Sequence, residues 1–212
     1  MAEDQQRRLP QGFDPERDVM LDVRSLRGIA HPLRTRLLGL LRADGPSTAT
    51  KLAGRLGLSS AATSYHLRQL AAYGFVAEEE GRGKTRERWW RAAHRSTVFD
   101  RSALVTSGEN VEEVDALSEE YLRSVIDVYA RSASEYLDIE HRLPEEWRDA
   151  GDFSDTLLSL TPDEARRLAG EIDAVLHRYR RRDAPDQPAA ARPVRVQYQV
   201  FPRFDPDAEA GE

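Results

Sequence analysis

Apolar positions recur at three- and four-residue steps in four successive blocks of the first hundred residues. Val19, Val23, Leu26 and Ala30 predict a helix over ~18–30. Pro32 suits the first turn of a second helix, ~32–43, whose apolar face carries Leu33, Leu37, Leu38, Leu40 and Leu41. Asp44-Gly45-Pro46 stops it. Ala49, Leu52, Ala53 and Leu56 predict a short third helix, ~48–56, capped by Ser47 or Thr48. A fourth runs from Ser60 to Tyr73 and ends at Gly74, the residue type best suited to a left-handed C-terminal conformation. The rhythm then changes: 75–79 reads as a strand, Gly81-Arg82-Gly83-Lys84 as a loop and 85–92 as the return strand.

The second half opens with one long helix, ~109–142. Val111, Val114, Tyr121, Val125 and Val128 form one stripe, and Leu117, Leu122, Tyr129 and Tyr136 widen it. Such a face is broad enough for its own domain and a partner chain together. Residues 155–160 read as a short strand. Thr161-Pro162-Asp163-Glu164 combines a cap, a first-turn proline and a capping box. It should start a helix to ~182 that buries Ala165, Leu168, Ile172, Val175, Leu176 and Tyr179 and ends at Arg180-Arg181-Arg182. A Pro/Ala-rich linker, 185–193, leads to Val194, Val196, Tyr198 and Val200, which alternate with Arg195, Gln197 and Gln199 as in a half-buried strand.

The predicted fold class is mostly α (α+β): a winged helix-turn-helix domain, a long dimerisation helix and a small strand–helix–strand C-terminal element. The expected divisions are a flexible arm at 1–17, the winged domain at 18–100, a helical dimerisation and effector region at 101–201, and an acidic tail at 202–212.

Charge sharpens this picture. The chain carries −6 overall, yet residues 1–100 hold 17 Lys+Arg against 12 Asp+Glu, and residues 101–212 hold 14 against 25. Only the first half suits a polyanion. Cysteine is absent, which removes disulfides and thiolate ligands together. The N-terminus is polar and no apolar run is long enough to span a bilayer, so a cytoplasmic protein without membrane contact is expected. The five histidines form no HxH or HxxxH pair, so neither a metal nor a cofactor is expected. No P-loop, G-x-G-x-x-G, G-x-S-x-G or cysteine nucleophile is present, which argues against an enzyme.

The stretch from Lys51 reads KLAGRLGLSSAATSYHLRQL. Its later helix has the chemistry of one delivered end-on into a major groove. Ser60, Ala61 and Ala62 are small enough for close approach, and Ser59, Ser60, Thr63 and Ser64 offer hydroxyls. Tyr65 and Arg68 come next, with Arg68 suited to a phosphate, while Leu67 and Leu70 face the core. His66 reads as a structural or phosphate-contacting residue rather than a metal ligand. In the loop and return strand, Arg82, Lys84, Arg86 and Arg88 alternate, so they tend toward one face. Glu78, Glu79 and Glu80 would be repelled from DNA, so they should point away from it or balance the 86–91 arginines across the hairpin. Trp89 and Trp90 point to opposite faces; one is core, and the other lines a cavity or a dimer contact. The candidate DNA-contacting set is Ser59, Ser60, Ala61, Thr63, Ser64, Tyr65, His66, Arg68, Arg82, Lys84 and Arg86.

Leu52-Ala53, Leu56-Gly57-Leu58-Ser59, His66-Leu67, Leu70 and Gly74-Phe75-Val76 resemble the ArsR-type winged-helix repressors over residues ~24–95. The resemblance implies a homodimeric regulator, usually a repressor, that reads a near-palindromic operator in double-stranded DNA. Many members sense metals through Cys, His and carboxylate clusters, a pattern from which this cysteine-free chain departs. For the second half two readings stand. One is a dimerisation extension; the other is a pocket for a small organic effector walled by Tyr121, Tyr129, Tyr136, Trp147, Phe153, Tyr179 and Tyr198. The competing function is a winged helix used as a protein-interaction module without direct DNA reading.

Overall fold

The computed structural model describes residues 13–81, 87–105, 110–179 and 186–203. The first element is a strand, β1 (Asp18–Met20), and helix α1 follows at Val23–Ile29. The helix expected over 18–30 is thus shorter, for a local reason. Asp22 is its N-cap, accepting from the Ser25 N–H at 2.6 Å while its own N–H donates to Ser25 Oγ at 2.9 Å. That reciprocal box fixes the start, so the apolar Val19 joins a strand instead.

Helix α2 (Pro32–Asp44) is capped by His31, whose Nδ1 accepts from the Leu33 N–H at 3.1 Å. A two-residue strand β2 (Ser47–Thr48) leads into α3 (Ala49–Leu56), and α4 (Ser60–Ala72) follows after a tight turn. Strand β3 (Val76–Glu78) and β4 (Trp89–Ala92) are antiparallel, and β2 adds to the far side of β4, giving the order β2-β4-β3. The return strand begins at Trp89, after the described residues 87 and 88, rather than at the expected 85; residues 85 and 86, with the loop residues 82–84, lie outside the described ones. Strand β5 (Ser96–Val98) pairs in parallel with β1, placing Asp18 opposite Ser96.

A short helix α5 (Arg101–Val105) precedes α6 (Val111–Ile139), which a 3-10 turn extends through Arg142. The long helix packs across α1 and α2. Val114 and Tyr121 are buried there, with Ser118 and Ser124 beside them as small residues that allow close approach. Bidentate Arg27–Glu113 contacts at 2.8 and 2.9 Å tie α6 to α1. Residues 14–150, including α7 (Glu145–Asp149), therefore form one compact unit. Compactness divides the chain near 150 rather than at 100, because half of the apolar face of α6 belongs to the winged domain's core.

That core is continuous. Leu26, Ile29, Leu37, Leu38, Leu52, Leu67, Leu70, Phe75 and Trp90 are all buried in a single cluster. Each such side chain contributes about 1.5–3 kcal/mol of burial.

Residues 151–203 belong to a second unit, whose helix α8 (Pro162–His177) begins with the expected capping box between Thr161 and Glu164. The strands expected at 155–160 and 194–200 are not formed: neither stretch enters a ladder among the described residues. A strand needs a hydrogen-bonded neighbour as well as alternation.

Candidate nucleic-acid interface

The turn between α3 and α4 is set by Gly57, which closes α3 in the left-handed conformation at φ 66° and ψ 34°. Only glycine adopts this without a Cβ penalty. The Leu58 N–H returns to the Ala53 carbonyl at 3.0 Å, and Ser59 then caps α4 by accepting from the Ala62 N–H at 3.2 Å. The Ser59 oxygen serves the cap while its hydrogen remains able to donate to a phosphate. Ser60 is exposed and lies 3.5 Å from Thr50 Oγ1, linking the two helix starts.

The faces of α4 are sharply divided. Thr63, Leu67 and Leu70 have no exposure at all. Ala61, Tyr65 and Arg68 lie on the opposite, solvent face with Ser64 half-buried beside them, and Tyr65 is 53% exposed. Thr63 is a correction: expected to offer its hydroxyl outward, it shares the core face with Leu67, four residues on, and cannot meet a ligand.

His66 turns toward α2, its ring centroid 4.6 Å from that of His31 and 5.2 Å from that of Tyr65. Burial lowers the affinity of both imidazoles for protons, and the nearby Arg34 guanidinium adds to it; Glu120 from α6 opposes this at His31. The pair is held neutral, whereas the unfolded chain protonates near pH 6.5. Stability is therefore expected to fall as pH drops below about 6.5, because the unfolded state takes up more protons there. Thermal unfolding of His66→Phe should show a shallower decline over that range; an identical slope would remove the pair as its source.

The wing residues Arg82, Lys84 and Arg86 lie outside the described residues. At its base, Glu78 meets Arg88 at 3.2 Å and Glu79 meets Arg91 at 3.4 Å, the expected balance of charge across the hairpin. Trp90 is the core tryptophan, and the half-buried Trp89 lies beneath Lys51, whose Nζ is 4.3 Å from the ring centroid. Lys51, not singled out by the sequence, thus joins α3 to the wing by a cation–π contact. Arg42 carries no sequence signal either. It is half-buried, donates to the His94 carbonyl at 3.0 Å and to Thr97 Oγ1 at 2.8 Å, and fixes the strand beyond the wing against α2. Burial pushes its pKa down to about 10, so it keeps its charge at neutral pH.

The aromatics proposed as effector walls do not gather within the first unit. Tyr121 is buried 5.7 Å from Phe99, and Tyr129 and Tyr136 lie half-buried along α6. An open cleft between α2 and α6 is lined instead by Arg36, Asp127, Arg131, Ser134, Glu135 and Asp138. Among the described residues no group of three or more His, Asp or Glu side chains could hold a metal ion, and no helix is long and apolar enough to cross a membrane.

Residues 29–79 match a family model described as a helix-turn-helix domain. The match begins at the end of α1 and contains α2, α3, α4 and β3. Among solved structures the chain is similar to a doubly substituted apo form of Lactococcus lactis ZitR, at 14% identity over 71% of this chain and 84% of that one, with a TM-score of 0.30. No curated protein matches the sequence.

Proposed function

We propose that the chain is a sequence-specific, double-stranded-DNA-binding transcription regulator of the ArsR type, acting as a homodimeric repressor on a near-palindromic operator. The observation that carries the reading is the exposed stripe Ala61–Tyr65–Arg68 on α4, with the half-buried Ser64 beside it, inside the region matched to a helix-turn-helix domain. The second helix of such a unit enters the major groove, and its N-terminal part reaches base edges. Ser59 and Ser60 at that end, with Lys51 on α3 and the basic wing residues Arg82, Lys84 and Arg86, would hold phosphates on either side.

The dimer is assigned to the face of α6 left uncovered by its own unit. Leu122, Ile126 and Leu137 are 41%, 54% and 58% exposed, and Tyr129 and Ala133 fall on the same stripe. A second copy packed there would be related by a two-fold axis and would set two α4 helices about 34 Å apart, one turn of DNA.

Selection of sites from random duplex DNA tests the reading: an inverted repeat with half-sites about one turn apart is expected. Arg68→Ala should weaken binding across all sequences and lower the salt slope by about one unit. Tyr65→Ala or Ser64→Ala should instead relax preference at one or two base positions, at a cost of about 1–3 kcal/mol. Equal losses on every sequence for all three variants would overturn the assigned reading face. Enrichment of no site at any salt would favour a protein-docking role.

A further inference from the structure

We propose that acid releases α4 from α2: protonation of His31 and His66 breaks the contact between the two helices and withdraws the reading face from its working position. The consequence for DNA rests on the function proposed above, whereas the release itself does not.

The two rings sit where the start of α2 packs against α4, with centroids 4.6 Å apart. Neither can take up a proton without losing a contact or stranding one. His31 Nδ1 accepts from the Leu33 N–H at 3.1 Å and so caps α2. Because that nitrogen accepts, the neutral ring carries its hydrogen on Nε2, and the only place left for a second proton is the cap acceptor itself. His66 Nδ1 is sealed from solvent and has no hydrogen-bond partner among the described residues. A neutral ring can leave a lone pair there. An imidazolium must place an N–H there, and a buried donor without an acceptor is strongly destabilising.

The surrounding charges push the same way. From α2, Arg34 acts on both rings. Its Nη2 donates to the Arg27 carbonyl at 3.1 Å and its Nε is sealed, so the guanidinium is held in place. From α6, the exposed Glu120 favours a charged His31 but does not act on His66. The Arg27 guanidinium of α1 is engaged by Glu113 of α6 at 2.8 and 2.9 Å. Among the described residues, α3 and β3 add no charge that acts on either ring. Two imidazolium ions would thus face each other and a fixed guanidinium, with one exposed carboxylate in compensation.

Separating the helices relieves every one of these conflicts, since each ring then titrates in water near pH 6.5. Packed rings resist the proton and released rings accept it, so the released form gains below about pH 6.5 and not above it. The reading face moves with the helix. Tyr65 stands edge-on to His66, the ring centroids 5.2 Å apart and the planes at 81°, so a displaced His66 takes Tyr65 with it.

Hydrogen exchange of the full chain, corrected for the intrinsic effect of pH on exchange, reads the release without DNA. Between about pH 7.5 and about pH 5.5 the protection of the α4 amides should fall about tenfold or more, while that of α6 holds. His66→Phe keeps a ring in the contact and removes its proton site, and should abolish most of the fall. His31→Asn retains a cap acceptor and should abolish part of it. No fall in the parent protein, a fall of equal size in both variants, or one shared by α6 overturns the proposal. Affinity for a selected duplex is measured over the same range. The parent should lose about tenfold or more in acid and His66→Phe much less; equal losses refute the link to DNA. Absence of DNA binding at neutral pH would remove the proposed function, and the exchange result alone would still decide the release.

Discussion

Gly28→Ala should lower the stability of the protein by about 2–3 kcal/mol, although the same change gains about 1 kcal/mol in an unconstrained helix. Gly28 is buried within α1, where that helix crosses the end of α4. A Cβ built on it would lie 2.2 Å from Tyr73 Cγ and 2.6 Å from Tyr73 Cβ. Rotating the ring relieves only the first contact, because the Cβ moves with the backbone. That backbone is held on both sides: Tyr73 caps α4, Gly74 takes φ 80°, and the Phe75 N–H bonds the Leu70 carbonyl at 2.9 Å. The clash must therefore shift α4 as a body, and with it the exposed Tyr65–Arg68 stripe. Urea unfolding of the full chain checks this, and the double variants locate the cause. Tyr73→Ala should not rescue Gly28→Ala, since its Cβ remains, whereas Tyr73→Gly should recover part of the loss. A midpoint at or above that of the parent protein would mean that the two helices separate freely.

This crossing marks the limit of what sequence periodicity conveys. Spacing alone located α2, α3 and α4 closely, because Pro32, Thr48, Gly57 and Gly74 punctuate the helices by local chemistry acting over one turn. The capping box at Thr161 and Glu164 was legible for the same reason. The close approach of Gly28 to Tyr73 was not, since it joins residues far apart in the chain. The parallel pair β1–β5 was hidden likewise: Val19 and Val23 fit a helical step, and only Ser96–Val98, far along the chain, turns Asp18–Met20 into a strand.

The candidate interface divides in the same way. A helical step places Ala61, Tyr65 and Arg68 on one face and Leu67 and Leu70 on the other, and the structure agrees. Thr63 departs from its expected outward place because helical register outweighs its hydroxyl: it lies one turn from Leu67 on the core side. Lys51 over Trp89 and Arg42 on His94 and Thr97 were invisible because each joins α2 or α3 to the hairpin or to the segment 93–98 beyond it. The two C-terminal stretches show the reverse: alternation marks them as strands, but alternation alone supplies no hydrogen-bonded neighbour, and neither enters a ladder among the described residues.

Asp18→Asn should cost about 3 kcal/mol at neutral pH, the loss associated with breaking one partner of a buried ion pair. Asp18 is 6% exposed and accepts from Arg95 Nε and Nη2 at 2.8 and 2.9 Å, from Ser96 Oγ at 2.7 Å and from the Asp14 N–H at 3.0 Å. An amide of the same shape keeps one acceptor and turns an NH2 toward these donors, leaving Arg95 without its counter-charge. Burial alone would raise the carboxyl's pKa, but the Arg95, Asp14 and Ser96 hydrogen bonds outweigh it and hold the group far below the usual carboxylate range. With the folded pKa depressed, the stabilisation is complete above about pH 4, where the unfolded chain is also ionised, and is lost progressively as pH falls below it. The gap in melting temperature between parent and Asp18→Asn should therefore be widest near neutrality and narrow steadily from about pH 4 downward. A gap that stayed constant down to about pH 2 would show that the charge of Asp18 contributes nothing and that the loss comes from shape alone. Since the pair ties β1 to β5 beside the Arg42 contacts, the variant should also loosen the base of the wing. On the proposed reading, its DNA affinity should then fall while the sequence preference assigned to Tyr65 and Ser64 is retained.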